Sequence, residues 1–128
     1  MYPYDERQFV PPAPVIEVEV TSRPGDEAHR VLMQLDSGSD ISCVPKGVCD
    51  KLVATRFGRV NVRGYSGSFR EAKTYFFNVG FARQMFSHVE MLPIEGTIGL
   101  IGRDVLNEIS VCFDGRQLLW YISDGKSA

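Results

Sequence analysis

Two apolar runs in this chain stop abruptly in turns that carry charge. Val31-Leu32-Met33-Gln34-Leu35 runs into Asp36-Ser37-Gly38-Ser39-Asp40, and Ile98-Gly99-Leu100-Ile101 runs into Gly102-Arg103-Asp104. Short apolar runs bounded by turn residues read as buried strands, so each charged turn belongs at the end of a covered strand. The surrounding pattern agrees. Residues 15–20, Val-Ile-Glu-Val-Glu-Val, alternate apolar and acidic, the period of a half-exposed strand. Arg23-Pro24-Gly25-Asp26 is a turn that lets 30–35 pair back as a hairpin.

Further along, 42–44 is a short apolar stretch stopped by Pro45, and 46–52 suits one helical turn. Residues 58–62 and 69–81 flank the tip Arg63-Gly64-Tyr65-Ser66-Gly67-Ser68 and read as a second hairpin. A strand is expected at 87–92 and another at 98–101. The best helical segment is 103–109, with Val105, Leu106 and Ile109 on one face. Residues 111–113 and 118–122, joined by Asp114-Gly115, make a closing hairpin. Many short strands, glycine turns and one late helix specify an all-β fold, a small closed barrel. A chain of 128 residues suits one domain. That domain is expected over 15–122, after an extended arm at 1–14 holding four of the seven prolines and before a tail at 123–128.

Composition excludes several function classes. A net charge of −2 offers no electrostatic footprint for nucleic acid or an anionic membrane. No apolar run approaches the roughly 20 residues of a spanning helix, and the first ten residues lack the apolar centre of a secretory signal. Cys43, Cys49 and Cys112 are odd in number and lack C-x-x-C spacing, so they read as free, buried thiols in an intracellular, reducing compartment. Neither a metal nor a cofactor is called for. Asp36-x-Gly38-x-Asp40 begins like a calcium loop, but Ile41 and Gly47 occupy positions where that loop needs glycine and glutamate. His29 and His88 stand alone. Ser68 breaks the G-x-S-x-G spacing of a hydrolase elbow. Phe69, Phe76, Phe77, Phe81 and Phe86 lack an accompanying basic stripe and read as core and pocket lining. Trp120 and Tyr121 read as packing residues of the core or of an interface.

Asp-Ser-Gly alone is an ordinary surface turn with an Asx hydrogen bond. Its context is more specific: an apolar strand into Asp36-Ser37-Gly38, a glycine-tipped hairpin, then Ile101-Gly102-Arg103-Asp104 opening a helix. In that order these motifs resemble the retropepsin-like aspartic proteases, the single-domain family that includes the retroviral enzymes. The resemblance spans residues 15–122 and implies a homodimeric barrel that cleaves peptide or protein substrates.

It implies roles as well. Asp36 matches the catalytic aspartate, paired with Asp36 of a second subunit across a two-fold axis. Carboxylates about 3 Å apart share one proton; the ionised one activates water and the protonated one hydrogen-bonds the peptide carbonyl. Ser37 stands where the family has Ser or Thr reaching the opposite subunit, and Gly38 lets backbone N–H groups approach the carboxylate. Ser39 replaces the retroviral alanine; a hydroxyl donating to Asp36 would depress the pair's pKa values and give an acidic optimum. Asp40 and Arg103 match an ion pair bracing the active-site loop. Asp104 follows a cellular variant of the motif. Gly64, Tyr65, Ser66 and Gly67 match the flap that closes over substrate. The terminal strands, 15–20 and 118–122, are expected to form the dimer interface. The competing reading is a dimeric domain of the same fold that binds peptides or partners without cleaving them; retention of Asp36 and Gly38 favours the enzyme.

Overall fold

The computed structural model describes residues 1–23, 25–52, 57–63 and 67–123. Its elements are β1 (Tyr2–Asp5), β2 (Ala13–Thr21), β3 (His29–Leu35), β4 (Ser42–Pro45), α1 (Lys46–Lys51) and β5 (Phe57–Arg63). After these come β6 (Phe69–Phe81), β7 (Gln84–Ile94), β8 (Gly99–Ile101), α2 (Arg103–Leu106), β9 (Ser110–Asp114) and β10 (Leu119–Ser123). The strands follow one another in the order β5-β6-β7-β4-β8-β3-β2-β1-β10-β9, and β6 pairs with β2 as well. That extra pairing closes β2, β3, β8, β4, β7 and β6 into a barrel of six strands. The expected all-β barrel is what the chain forms.

The strands form where β-branched and aromatic residues fit a half-covered pleated surface. Val18 and Val20 of β2, Val31, Met33 and Leu35 of β3, Phe77 and Val79 of β6, and Met91 of β7 fill the interior. The acids of β2 stay outside, where Arg30 on β3 reaches both Glu17 and Glu19. The first half of β2 behaves differently. It buries Ala13 and Val15 on the other face, where β1 pairs and the Trp120 indole N–H donates to the Val15 carbonyl at 3.0 Å.

Several expectations need amendment. The extended 1–14 segment is not detached from the sheet: β1 inserts between β2 and β10, and Tyr2 stacks on Trp120 with ring centroids 4.6 Å apart. Trp120 is fully buried there. The helix expected over 103–109 ends at Leu106, because Glu108 and Ile109 bond to carbonyls only three residues back. Its apolar face still packs inward through Val105, Leu106 and Ile109. Strand β7 is longer than 87–92 and carries a bulge: Ser87 and His88 together oppose Asn78. His88 adopts φ 55° there, and its N–H donates to the Asn78 side chain at 3.2 Å. Of the phenylalanines read as core or pocket lining, Phe77, Phe81 and Phe86 are buried, whereas Phe69 is 68% exposed. Of the three free cysteines, Cys43 is buried and the other two are half-buried. No helix of the described residues is long and apolar enough to cross a membrane.

Candidate active site

Strand β3 delivers Asp36 to the end of the barrel. The Asp36 N–H donates to the Ile101 carbonyl at 2.9 Å, continuing the parallel β3–β8 ladder by one more bond. The chain then turns. Gly38 N–H donates to Asp36 Oδ1 at 2.9 Å, and Ser39 N–H to the Asp36 carbonyl at 3.1 Å. A Cβ at Gly38 would lie 3.1 Å from Asp36 Oδ1, so glycine is what lets this N–H approach the carboxylate so closely.

The 101–104 segment locks onto this turn from the other side. Arg103 N–H donates to the Ser39 carbonyl at 2.8 Å, and the Arg103 guanidinium Nη1 to the Ser37 carbonyl at 2.7 Å. Gly102 N–H donates to Ser42 Oγ at 3.0 Å. Ser42, 1% exposed, in turn donates its N–H to Asp104 Oδ2 at 3.1 Å and its hydroxyl to Asp104 Oδ1 at 2.7 Å. The two backbones are pressed together at Gly102, where a Cβ would meet the Ile41 carbonyl at 2.8 Å and the Ser39 carbonyl oxygen at 2.9 Å.

The two charged turns singled out in the sequence therefore meet, but not through the expected pair. Among the described residues Arg103 makes no ion pair with Asp40. The guanidinium is satisfied by the Ser37 carbonyl, and Asp40 is left exposed. Asp104 takes over the bracing, with Ser42 as the residue that sequence reasoning missed. A lone hydroxyl in the run Ile41-Ser42-Cys43-Val44 was the available signal, because a buried hydroxyl needs a partner.

Ser39 also departs from expectation. Its hydroxyl donates to the Ile41 carbonyl at 2.6 Å rather than to Asp36, so it supplies no local cause for an acidic optimum. Next to it, burial pushes the Cys43 thiol up to about 11, with the Asp104 charge adding to the shift.

A groove of about 730 Å³ opens against Ser39, Asp40 and Ile41. Its other walls come from the β5–β6 hairpin, including Val62 and Phe69, and from Glu90 of β7. Glu90 is held by the fully buried Thr74 hydroxyl at 2.6 Å. This is an ordinary size for a ligand site. The β5–β6 hairpin closes at the Arg63–Phe69 pair, where the guanidinium lies 5.7 Å from the ring centroid. Gly64, Tyr65 and Ser66 of the expected flap lie outside the described residues. Gly67 is described, and its φ of 80° is a left-handed conformation that favours glycine. No cluster of three or more metal-ligating side chains occurs among the described residues.

Solved structures share this architecture. The Simian foamy virus (mac) protease superposes with a TM-score of 0.53 at 16% identity, covering 73% of this chain and 91% of that one. The EIAV protease complexed with the inhibitor HBY-793 superposes with a TM-score of 0.55 at 18% identity, covering 81% of this chain and 91% of that one. The fold is that of the retroviral proteases. No protein-family model matches the chain, and no curated protein does.

Proposed function

We propose that this chain is one half of an aspartic endopeptidase, completed when two copies bring their Asp36 carboxylates together across a two-fold axis. The observation that carries the reading is the seating of Asp36. It sits at the end of a buried strand with one oxygen fixed by the Gly38 N–H, and its turn runs on into Ser39 and Asp40, which line a groove of about 730 Å³ that Asp36 itself does not line. The N–H fixes the orientation of Oδ1 and leaves Oδ2 for the reaction.

The chemistry follows from two such groups. Two carboxylates about 3 Å apart share one proton, because both cannot be ionised at that distance. The ionised member takes a proton from the water between them as that water attacks the peptide carbonyl carbon. The protonated member donates to the carbonyl oxygen, which becomes a hydroxyl of the tetrahedral intermediate. Transfer of a proton to the amide nitrogen then releases the amine and the carboxylic acid. The hairpin carrying Gly67, whose strands wall the groove through Val62 and Phe69, would close over a bound substrate and exclude water from it.

Asp36→Asn tests this directly. An amide can neither share the proton nor act as base, so cleavage of an unstructured protein substrate should be abolished while the circular dichroism spectrum and melting temperature stay those of a folded barrel. A variant that cleaves as fast as the parent chain would remove Asp36 from the mechanism.

A further inference from the structure

One carboxylate of the groove is seated by three strands. Glu90 of β7 lines the groove, and the fully buried Thr74 of β6 donates its hydroxyl to Glu90 Oε2 at 2.6 Å. Gly58 of β5 pairs with Thr74 across the hairpin. A Cβ at Gly58 would lie 2.6 Å from Glu90 Oε2 and 2.7 Å from Thr74 Oγ1, so the carboxylate occupies the space that a side chain at 58 would fill. The seat fixes the acid without neutralising it. Its donor is a neutral hydroxyl, and Glu90 forms no ion pair among the described residues. The other glutamates on strands, Glu17, Glu19 and Glu71, each face an arginine.

The rest of the groove indicates what would complete the pair. Asp40, Asp104 and Glu108 add three carboxylates to the lining, against the single guanidinium of Arg63, which already lies over the Phe69 ring. A cleft lined mainly by one sign of charge attracts the other. Apolar surface accompanies the acids: Val60 and Val62 of β5, and Leu92, which alternation puts on the same face of β7 as Glu90. A lysine or arginine side chain has the matching make-up, an aliphatic stem that packs on apolar surface and a cation at its end. An acidic side chain would be repelled. An apolar one would cover the Glu90 charge without pairing it, which is costly.

We propose that Glu90 is a specificity-determining residue: the groove takes a lysine or arginine side chain of the peptide substrate, with its cation bonded to the Glu90 carboxylate. The proposal rests on the reading that Asp36 is catalytic, and it names the substrate class. Asp36 does not line the groove, whereas Ser39 and Asp40 of the same turn do. The basic residue therefore lies away from the cleaved bond, at a fixed number of residues from it. Thr74 holds the carboxylate in place before substrate arrives, so little of its freedom is lost on binding. That separates Glu90 from the flexible surface acids, whose ion pairs discriminate weakly.

Mapping the cleavage sites in an unstructured protein, then assaying matched peptides with lysine or norleucine at the enriched position, tests this. The parent chain should show Lys or Arg enriched at one fixed distance from the cut. It should favour the lysine peptide over the norleucine peptide, which keeps the stem and lacks the charge, by about tenfold or more in kcat/KM, mainly through KM. Glu90→Gln keeps the size and an acceptor for Thr74 but removes the charge, so this ratio should collapse toward one. A general loss of fold would lower both peptides alike and leave the ratio standing. A parent that cleaves without basic preference, or a folded Glu90→Gln that keeps it, overturns the proposal, while the Asp36 reading stands as long as Asp36→Asn is inactive. A parent that cleaves nothing overturns the Asp36 reading. In that event, or if Glu90→Gln fails to fold, carbodiimide coupling of an N-acetylated peptide containing one lysine to the Asp36→Asn chain decides. An amide bond between the lysine amine and the Glu90 carboxylate, mapped by mass spectrometry, upholds the basic subsite; coupling only to other carboxylates, or none, overturns it.

Discussion

Ser42 and Asp104 are joined twice, through the amide and the hydroxyl of one residue and the two carboxylate oxygens of the other. They stand 62 positions apart in the chain. Because Ser42 Oγ also accepts the Gly102 N–H, the serine hydroxyl ties β4 to the start of α2, and Arg103 of α2 in turn holds the Asp36 turn through the Ser37 and Ser39 carbonyls. The position of Asp36 is thus set by a polar knot beside a hydrophobic barrel.

Asp104→Asn should loosen that knot. The asparagine oxygen can still accept from the Ser42 hydroxyl, but its NH2 group cannot accept the Ser42 N–H. Losing a hydrogen bond to a charged acceptor costs about 1.5–3 kcal/mol, toward the low end here because Asp104 is partly solvated. Ser42→Ala should cost more, since it leaves the Gly102 N–H without its acceptor inside the protein. Thermal melts of both variants check the order, and cleavage should fall in the same order if the knot positions Asp36.

Gly102→Ala should be worse than either. The new methyl would lie within 3 Å of the Ile41 and Ser39 carbonyls, which are backbone and cannot rotate away. Overpacking typically costs about 1–3 kcal/mol, and rigid neighbours push toward the upper end. A melting temperature equal to that of the parent chain would mean that the two turns are not in fact pressed together at this residue.

Much of this was legible in the sequence, for identifiable reasons. Strand ends were marked by Asp36-Ser37-Gly38 and Gly102-Arg103 because apolar runs cannot continue through residues that turn and hydrate the backbone. The barrel followed from period-2 patterning, which depends only on which face is covered. What escaped was partner choice. Arg103 and Asp40 carry opposite charges, but the Ser37 carbonyl lies within reach of the guanidinium and the pair is not made. Ser39 has a hydroxyl two residues from Ile41, and the local carbonyl takes it at 2.6 Å instead of the Asp36 carboxylate. Short side chains bond what the turn puts beside them, and pattern does not encode that geometry. The insertion of β1 escaped for a similar reason: prolines at 11, 12 and 14 read as a linker, while Tyr2–Asp5 ahead of them finds an open strand edge at β10.

The Tyr2–Trp120 stack should make the first strand part of the stability of the chain. Aromatic pairs contribute about 0.5–1.5 kcal/mol beyond area burial, and Tyr2 also packs against the core. Tyr2→Ala should lower the melting temperature by several degrees and shift Trp120 fluorescence to the red as water reaches the indole. A melting temperature equal to that of the parent chain would mean that β1 adds nothing to the stability of the sheet it pairs with.

Ser39→Ala should leave the pH–activity profile where it is. The hydroxyl it removes serves the Ile41 carbonyl, so the loss is a neutral hydrogen bond of about 1 kcal/mol in the loop rather than a donor to Asp36. A profile displaced toward neutral would show that the hydroxyl turns from the Ile41 carbonyl to Asp36.

Cys43 sets an alkaline limit on stability. Burial, then the Asp104 charge, raises its thiol from 9.0 to about 11 in the folded chain. A raised acid favours the folded state while both states hold the proton, so its contribution is complete below about pH 9. Above that the unfolded chain ionises first, and the contribution is lost progressively as pH climbs from 9 to about 11. Denaturant midpoints should therefore decline across that window, and Cys43→Val, a replacement of similar volume that cannot ionise, should flatten the decline attributable to this site. The same burial should leave Cys43 slow to alkylate in the native chain at pH 8, where the thiolate is scarce, and fast once urea unfolds it. Native-state labelling of Cys43 as fast as in urea would contradict its placement behind the Asp36 turn.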